Sequence, residues 1–288
     1  MKSILLIFAL VFINSYSFSQ TQKATLKQKW ATDQVFKTPE SIFFDSLRNI
    51  IYVSNINEVN PTKKDKDGFI SKLDISGKVV ELRWITGLND PKGMALFGNK
   101  LFVADIDEIV EIDIETSRIL KRHKVEGAKF LNDVVVAQSG DVYVSDSEAN
   151  VVFKMTRGAA PLLWLGVETK LDKPNGLYIE RERIIVATFG SGKLYIVNPE
   201  SKETREWISG IEAADGIARA GKTNYLVSNW IGEVWFIDFK GEKSLLLDTK
   251  AEKVNAADIE YINSMNILLI PTFFDNRVVA YNLTINEN

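Results

Sequence analysis

A four-residue pattern recurs six times along the chain, and it limits the fold more than any other feature. The six copies are Pro39-Glu40-Ser41-Ile42, Pro91-Lys92-Gly93-Met94, Leu131-Asn132-Asp133-Val134, Pro174-Asn175-Gly176-Leu177, Ala214-Asp215-Gly216-Ile217 and Ala257-Asp258-Ile259-Glu260. Counted on the second residue, the steps between them are 52, 40, 43, 40 and 43 residues, and the long step contains an insertion from Asn57 to Gly68. Each copy is followed by the same sequence of elements. A short strand turns into an apolar second strand, such as Ile50 to Val53 or Ile184 to Val186. An alternating third strand follows, such as Gly232 to Asp238, and a fourth closes the unit, such as Leu245 to Leu247. β-branched and aromatic residues broken by Gly, Asn and Asp at short intervals read as strands and hairpins. Beyond the N-terminus, no stretch sustains a helical apolar period.

Four strands per unit at this spacing describe the blade of a β-propeller. The expected fold is all-β, a six-bladed β-propeller of four-stranded blades. The sixth unit ends near Leu283 after three strands, while a strand from Thr25 to Trp30 precedes the first unit. That N-terminal strand is expected to complete blade six and close the ring, which removes an exposed edge. A pair of β-sandwiches is the rival architecture, and six in-register repeats disfavour it.

Ahead of the repeats, Lys2 precedes an apolar run from Ile4 to Ile13, and small residues follow at Ser17 and Ser19. This predicts a signal peptide over 1–19, cut before Gln20, and a single propeller domain over 20–288. The run falls short of the ~20 apolar residues of a membrane span, so the expected product is exported, periplasmic or extracellular, with no span after cleavage. A formal net charge of −3 offers no basic excess for nucleic acid. The chain has no Cys and one His, which excludes thiolate nucleophiles, disulfides, zinc ribbons and multi-His metal sites. Chemistry is left to carboxylates, amides, lysine or a metal held by oxygen.

The first strand of each blade lines the central channel, so the second residues of the six motifs form a ring: Glu40, Lys92, Asn132, Asn175, Asp215 and Asp258. Carboxylates converging on one axis repel unless protonated or bound to a cation. Hard cations take six to eight oxygens from carboxylates, amide carbonyls and water. Glu40 and Asp215 supply two charges, and Asn132 and Asn175 add neutral oxygens, a set suited to one divalent ion. Lys92 is read either as stabilising negative charge on a substrate or as an ion-pair partner of a ring acid. Asp258 is read as a structural channel acid in preference to an outer ligand. Loops joining second and third strands should open at the same mouth. They carry Phe189, Asn229, Trp230, Phe273 and Phe274, a rim suited to an apolar or ring-shaped substrate. The Asn57 to Gly68 insertion falls in this loop of blade one, as a lid or a solvated turn.

Thr38-Pro39-Glu40-Ser41, Leu131-Asn132-Asp133, Pro174-Asn175-Gly176-Leu177 and Ala214-Asp215-Gly216-Ile217 together resemble the senescence-marker/gluconolactonase family of six-bladed propellers. The stretch Leu131 to Val136 is similar to the pattern of the more distant paraoxonases. The resemblance implies that Glu40, Asn175 and Asp215 ligate a divalent metal, with Asn132 beside them and Asp215 also serving as base. Calcium is the expected ion, with magnesium, manganese or zinc as alternatives. The implied activity is hydrolysis of sugar lactones or related esters, so the expected partner is a small-molecule lactone or ester. Phe130 stands where the family often has a substrate-binding Arg, and Val134 where it often has Gly. The resemblance therefore rests on the metal set and not on sugar-acid contacts.

Other motifs fall away. Asp65-Lys66-Asp67-Gly68 has Phe69 and Ser76 where an EF-hand needs acids, and Gly190-Ser191-Gly192-Lys193 lacks the remaining P-loop residues. His123 is expected at the surface of an outer strand. The rival function is a non-catalytic propeller of the NHL type that binds a ligand or protein at its mouth. A strictosidine-synthase-like condensing propeller predicts no metal and is disfavoured by the Glu40/Asn175/Asp215 set.

Overall fold

The computed structural model describes residues 24–57, 63–180 and 182–286. The expected signal peptide lies outside these residues, as does part of the blade-one insertion. Strand β1 (Ala24–Ala31) is followed by blade one: β2 (Pro39–Asp45), β3 (Ile50–Asn55), β4 (Gly68–Asp74) and β5 (Val79–Leu88), paired in that order. Four more blades repeat this antiparallel order, with inner strands Pro91–Phe97, Leu131–Val136, Pro174–Glu180 and Ala214–Ala220. Blade six runs from the axis outward through Glu260–Ile262, Ile267–Pro271 and Val278–Ile285, and its outermost strand is β1. The six-bladed propeller is thus closed as expected, with Leu26 opposite Leu283 and Ala31 opposite Val279.

The core lies between blades, and for that reason the second strand of each blade is apolar on both faces. Tyr52, Ile70 and Leu88 of blade one pack with Leu101, Val103 and Val110 of blade two. On its other side, Ile51, Val53 and Leu73 pack with Leu269, Val278 and Ala280 of blade six.

Closer to the axis, polar bonds replace apolar packing. The Ser145 hydroxyl accepts from the Asp133 amide (2.9 Å) and donates to the Asn175 carbonyl of the next blade (2.7 Å). Ser228 does the same between the Gly216 amide (2.9 Å) and the Ala257 carbonyl (2.7 Å). Glycine follows the ring residue where neighbouring backbones meet: a Cβ on Gly176 would fall 2.8 Å from the Asp215 carbonyl carbon.

His123 lies on the outermost strand of blade two but is not at the surface. It is 8% exposed and hydrogen-bonds the Glu111 carboxylate at 2.9 Å. Among the described residues no helix is long and apolar enough to cross a membrane.

Candidate active site at the channel mouth

The ring residues project from a repeated irregularity. In blade one Pro39 pairs with Asn55 and Ile42 with Val53, so the inner strand has one residue too many between the two pairs. Blades two to five carry the same bulge between Pro91 and Met94, Leu131 and Val134, Pro174 and Leu177, and Ala214 and Ile217. A bulge re-aims its side chain out of the strand's alternation, and here it turns the ring residue toward the axis. Thr38, Lys173 and Ala213, each two residues before a ring position, are left-handed at φ 50°, 52° and 50°. Non-glycine residues adopt that region at an energetic cost.

Five ring residues, Glu40, Lys92, Asn132, Asn175 and Asp215, line one cavity of about 220 Å³. The sixth does not. Asp258 accepts the Ser41 hydroxyl at 2.7 Å and lines a separate cavity of about 260 Å³, together with Asp133 and Glu260. Ile259 follows it where glycine follows Asp215, and the Asp258 amide donates to the Glu40 carbonyl at 3.0 Å. In the second cavity the acids already have partners, since Asp133 accepts the Val134 and Leu177 amides, both at 2.6 Å.

At the mouth the oxygens are unpartnered. Glu40 Oε2, Asn175 Oδ1 and Asp215 Oδ1 are buried without a hydrogen bond, although such atoms are nearly always satisfied in folded proteins. Burial holds the Glu40 carboxyl well above the usual carboxylate range, reinforced by Asp215 and Asp258 and opposed by Lys92. Asp215 is raised in the same way by burial, then by Asp258 and Asp133, against a lowering hydrogen bond from Asn175. Burial also pushes Asp258 up to about 6. Groups raised by desolvation and by each other hold a proton or accept a cation. Two carboxylates and a carboxamide with free buried oxygens suit a hard divalent ion. Among the described residues no group of three or more His, Cys, Asp or Glu is arranged to hold a metal; the set here mixes two acids with carboxamides. Asn132 Nδ2 donates to the Ser147 hydroxyl at 3.2 Å, which leaves its amide oxygen as the group to offer a cation.

Lys92 is 2% exposed. Its ammonium donates to the Asp90 carbonyl (3.2 Å) and sits 4.4 Å from the centre of the Phe130 ring, so it meets a backbone oxygen and an aromatic face rather than a ring acid. Burial lowers its pKa, opposed by Asp90 and Glu40.

Phe189, Trp230 and Phe273 form the wall. Phe273 is itself left-handed (φ 46°), its ring 5.6 Å from Trp230. Phe274 stands outside the lining, 52% exposed, and meets Trp230 at 5.7 Å and Phe273 at 4.8 Å, both edge to face. Asn229 does not reach the mouth. It is fully buried, donates to the Glu233 carboxylate (2.6 Å) and accepts the Glu233 amide (2.8 Å), bracing the hairpin of its own blade. The reason is position: Asn229 is the last residue of its strand, whereas the wall comes from the residue just beyond. Ile56, Ser147, Phe189 and Trp230 all occupy that following position. Ile56 and Ser147 were legible by aligning the ends of the second strands, whereas Phe130 reaches the mouth from the loop before its motif.

Comparison with known proteins bears on the fold. No family model matches the chain, and no curated protein matches it. Solved structures do. A catalytically inactive virginiamycin B lyase from Staphylococcus aureus, crystallised with quinupristin, is 11% identical with a TM-score of 0.65, covering 91% of this chain and 100% of that one. A streptogramin B lyase is 12% identical with a TM-score of 0.67, covering 91% and 98%. A chain of a nidogen/laminin complex is 16% identical with a TM-score of 0.64, covering 78% and 84%. At such identities the likeness is one of fold, and a propeller fold serves enzymes and binding proteins alike.

Proposed function

We propose that the chain is an exported, divalent-metal-dependent hydrolase of lactones or related esters, working at this mouth. The observation that carries the reading is the convergence of three buried, unpartnered oxygens, from Glu40, Asn175 and Asp215, in one cavity. Those three with Asn132 would hold the ion, calcium first. Bound there, it supplies a Lewis acid that polarises the ester carbonyl.

The chain's own residues account for the rest. Asp215 takes the proton of an attacking water and returns it to the departing alkoxide oxygen, so that a lactone and water give a hydroxy acid. Lys92 places a positive charge beside the developing oxyanion. Ile56, Phe130, Phe189, Trp230 and Phe273 present apolar and aromatic surface, which favours a hydrophobic acyl or lactone ring over a polyhydroxylated sugar acid.

The test is a panel of lactones and aryl esters assayed with calcium, with EDTA and after calcium is restored. Turnover that is lost in EDTA, recovered with metal and abolished by Asp215→Ala is expected. Metal binding without turnover on any member would favour the binding-propeller reading, which Phe130 in place of a substrate-binding arginine supports.

A further inference from the structure

The mouth contains a cation of its own. The Lys92 ammonium shares the cavity of about 220 Å³ with Glu40 and Asp215. It is held from two sides, by the Asp90 carbonyl oxygen of its own blade at 3.2 Å and by the Phe130 ring of the next blade at 4.4 Å. Neither contact is an ion pair, and the carboxyl groups of Asp90 and Glu40 act on the ammonium from farther away. With Lys92 only 2% exposed, water screens the field of the ammonium little. It reaches the ligand set, because Lys92 lines the same cavity as Glu40, Asn132, Asn175 and Asp215. One positive charge does not satisfy the acids, and the unpartnered oxygens of Glu40 and Asp215 remain. A divalent ion entering to meet them is attracted by the carboxylates and repelled by the lysine.

We propose that Lys92 is a tethered competitor of the metal, whose charge holds the affinity of the mouth for divalent cations below what the Glu40, Asn132, Asn175 and Asp215 oxygens alone would give. This inference rests on the metal reading above and adds to it a residue that sets how the site loads. Phe130 serves the same device: an aromatic face stabilises a desolvated ammonium, so the lysine stays in the cavity instead of turning out to water. A site tuned in this way loads at elevated calcium and empties when calcium falls, in contrast to one that retains its ion permanently.

The test is calorimetric titration of the EDTA-stripped full chain with CaCl2 and with MnCl2. Lys92→Met keeps the length and the packing on Phe130 without the charge, and it is expected to bind at least about tenfold more tightly than wild type. Lys92→Arg keeps the charge and is expected to bind no more tightly. Lys92→Gln keeps a donor for the Asp90 carbonyl and repeats the neutral case should thermal melting show that Lys92→Met does not fold. Metal bound only by the neutral variants supports the competitor and removes the ion from the wild-type mechanism. Neutral variants that bind with equal or weaker affinity than wild type overturn the inference and leave the metal reading standing. Absence of binding by every chain overturns both.

Discussion

Gly176→Ala is the sharpest probe of how the ring is built. Gly176 sits in the inner-strand bulge of blade four, and its backbone is packed against that of blade five. An added Cβ would lie 2.8 Å from the Asp215 carbonyl carbon and 3.3 Å from the Gly216 Cα, with the Asp215 carbonyl oxygen closer still. The obstacle is backbone, so no rotamer change relieves it. The two strands must part by about 1 Å or more to regain ordinary contact distances. Overpacking of this kind costs about 1–3 kcal/mol, and this case belongs at the upper end because a main-chain strand must move. For a domain of this size that corresponds to a fall in Tm of about 5–10 °C. Since Asp215 is the residue displaced, metal affinity should fall as well. The assay is thermal unfolding followed by circular dichroism, with calcium titration at a temperature where both chains are folded. A variant that melts within about 1 °C of wild type and binds metal normally would refute the tight inner ring as the reason for glycine.

Three further outcomes follow from the same geometry. Ser228→Ala leaves the Gly216 amide and the Ala257 carbonyl unpaired between blades five and six, and should cost about 1–3 kcal/mol in urea unfolding; an unchanged midpoint would contradict the interblade role. Glu260, pushed up to about 8 by burial with Asp258 adding to it, keeps a proton in the folded chain that the unfolded chain releases near its ordinary value of 4.5. Its contribution is therefore fully present below about 4.5 and is lost as pH rises toward 8, so Glu260→Gln should stabilise the chain at pH 8 and change little at pH 4, as read from paired melting curves. Trp230→Ala removes the ring that both Phe273 and Phe274 meet edge to face and should weaken binding of an aryl ester by about tenfold in KM, while a similar loss for small aliphatic lactones would argue against a wall that selects by ring contact.

The fold was legible because a propeller blade is local. Its four strands are consecutive, so the pattern around Glu40 returns intact around Asn132 and Asp215, and the one strand left over, β1, had only blade six to complete. The floor of the mouth was legible for the same reason, since a ring position needs only a register. What failed was the direction of side chains one residue apart. Asn229 and Trp230 are neighbours, yet the first ends a strand and turns into its blade while the second begins the wall. Asp258 holds the ring register, but a bond to Ser41 turns it to the other cavity. The pairing of Lys92 with Phe130 joins two blades, and the burial of His123 against Glu111 depends on how an outer strand lies on its neighbour. Such contacts are set by packing between distant segments, which periodicity does not encode.

In the proposed function, oxygens from four blades meet at one mouth to grip a divalent ion. An anomalous difference map from crystals grown with Mn²⁺ would locate that ion. A single strong peak bounded by Glu40, Asn132, Asn175 and Asp215, at about 2–2.6 Å from their oxygens, is the predicted result. A mouth without density at saturating Mn²⁺, or a peak confined to another part of the propeller, would contradict the account.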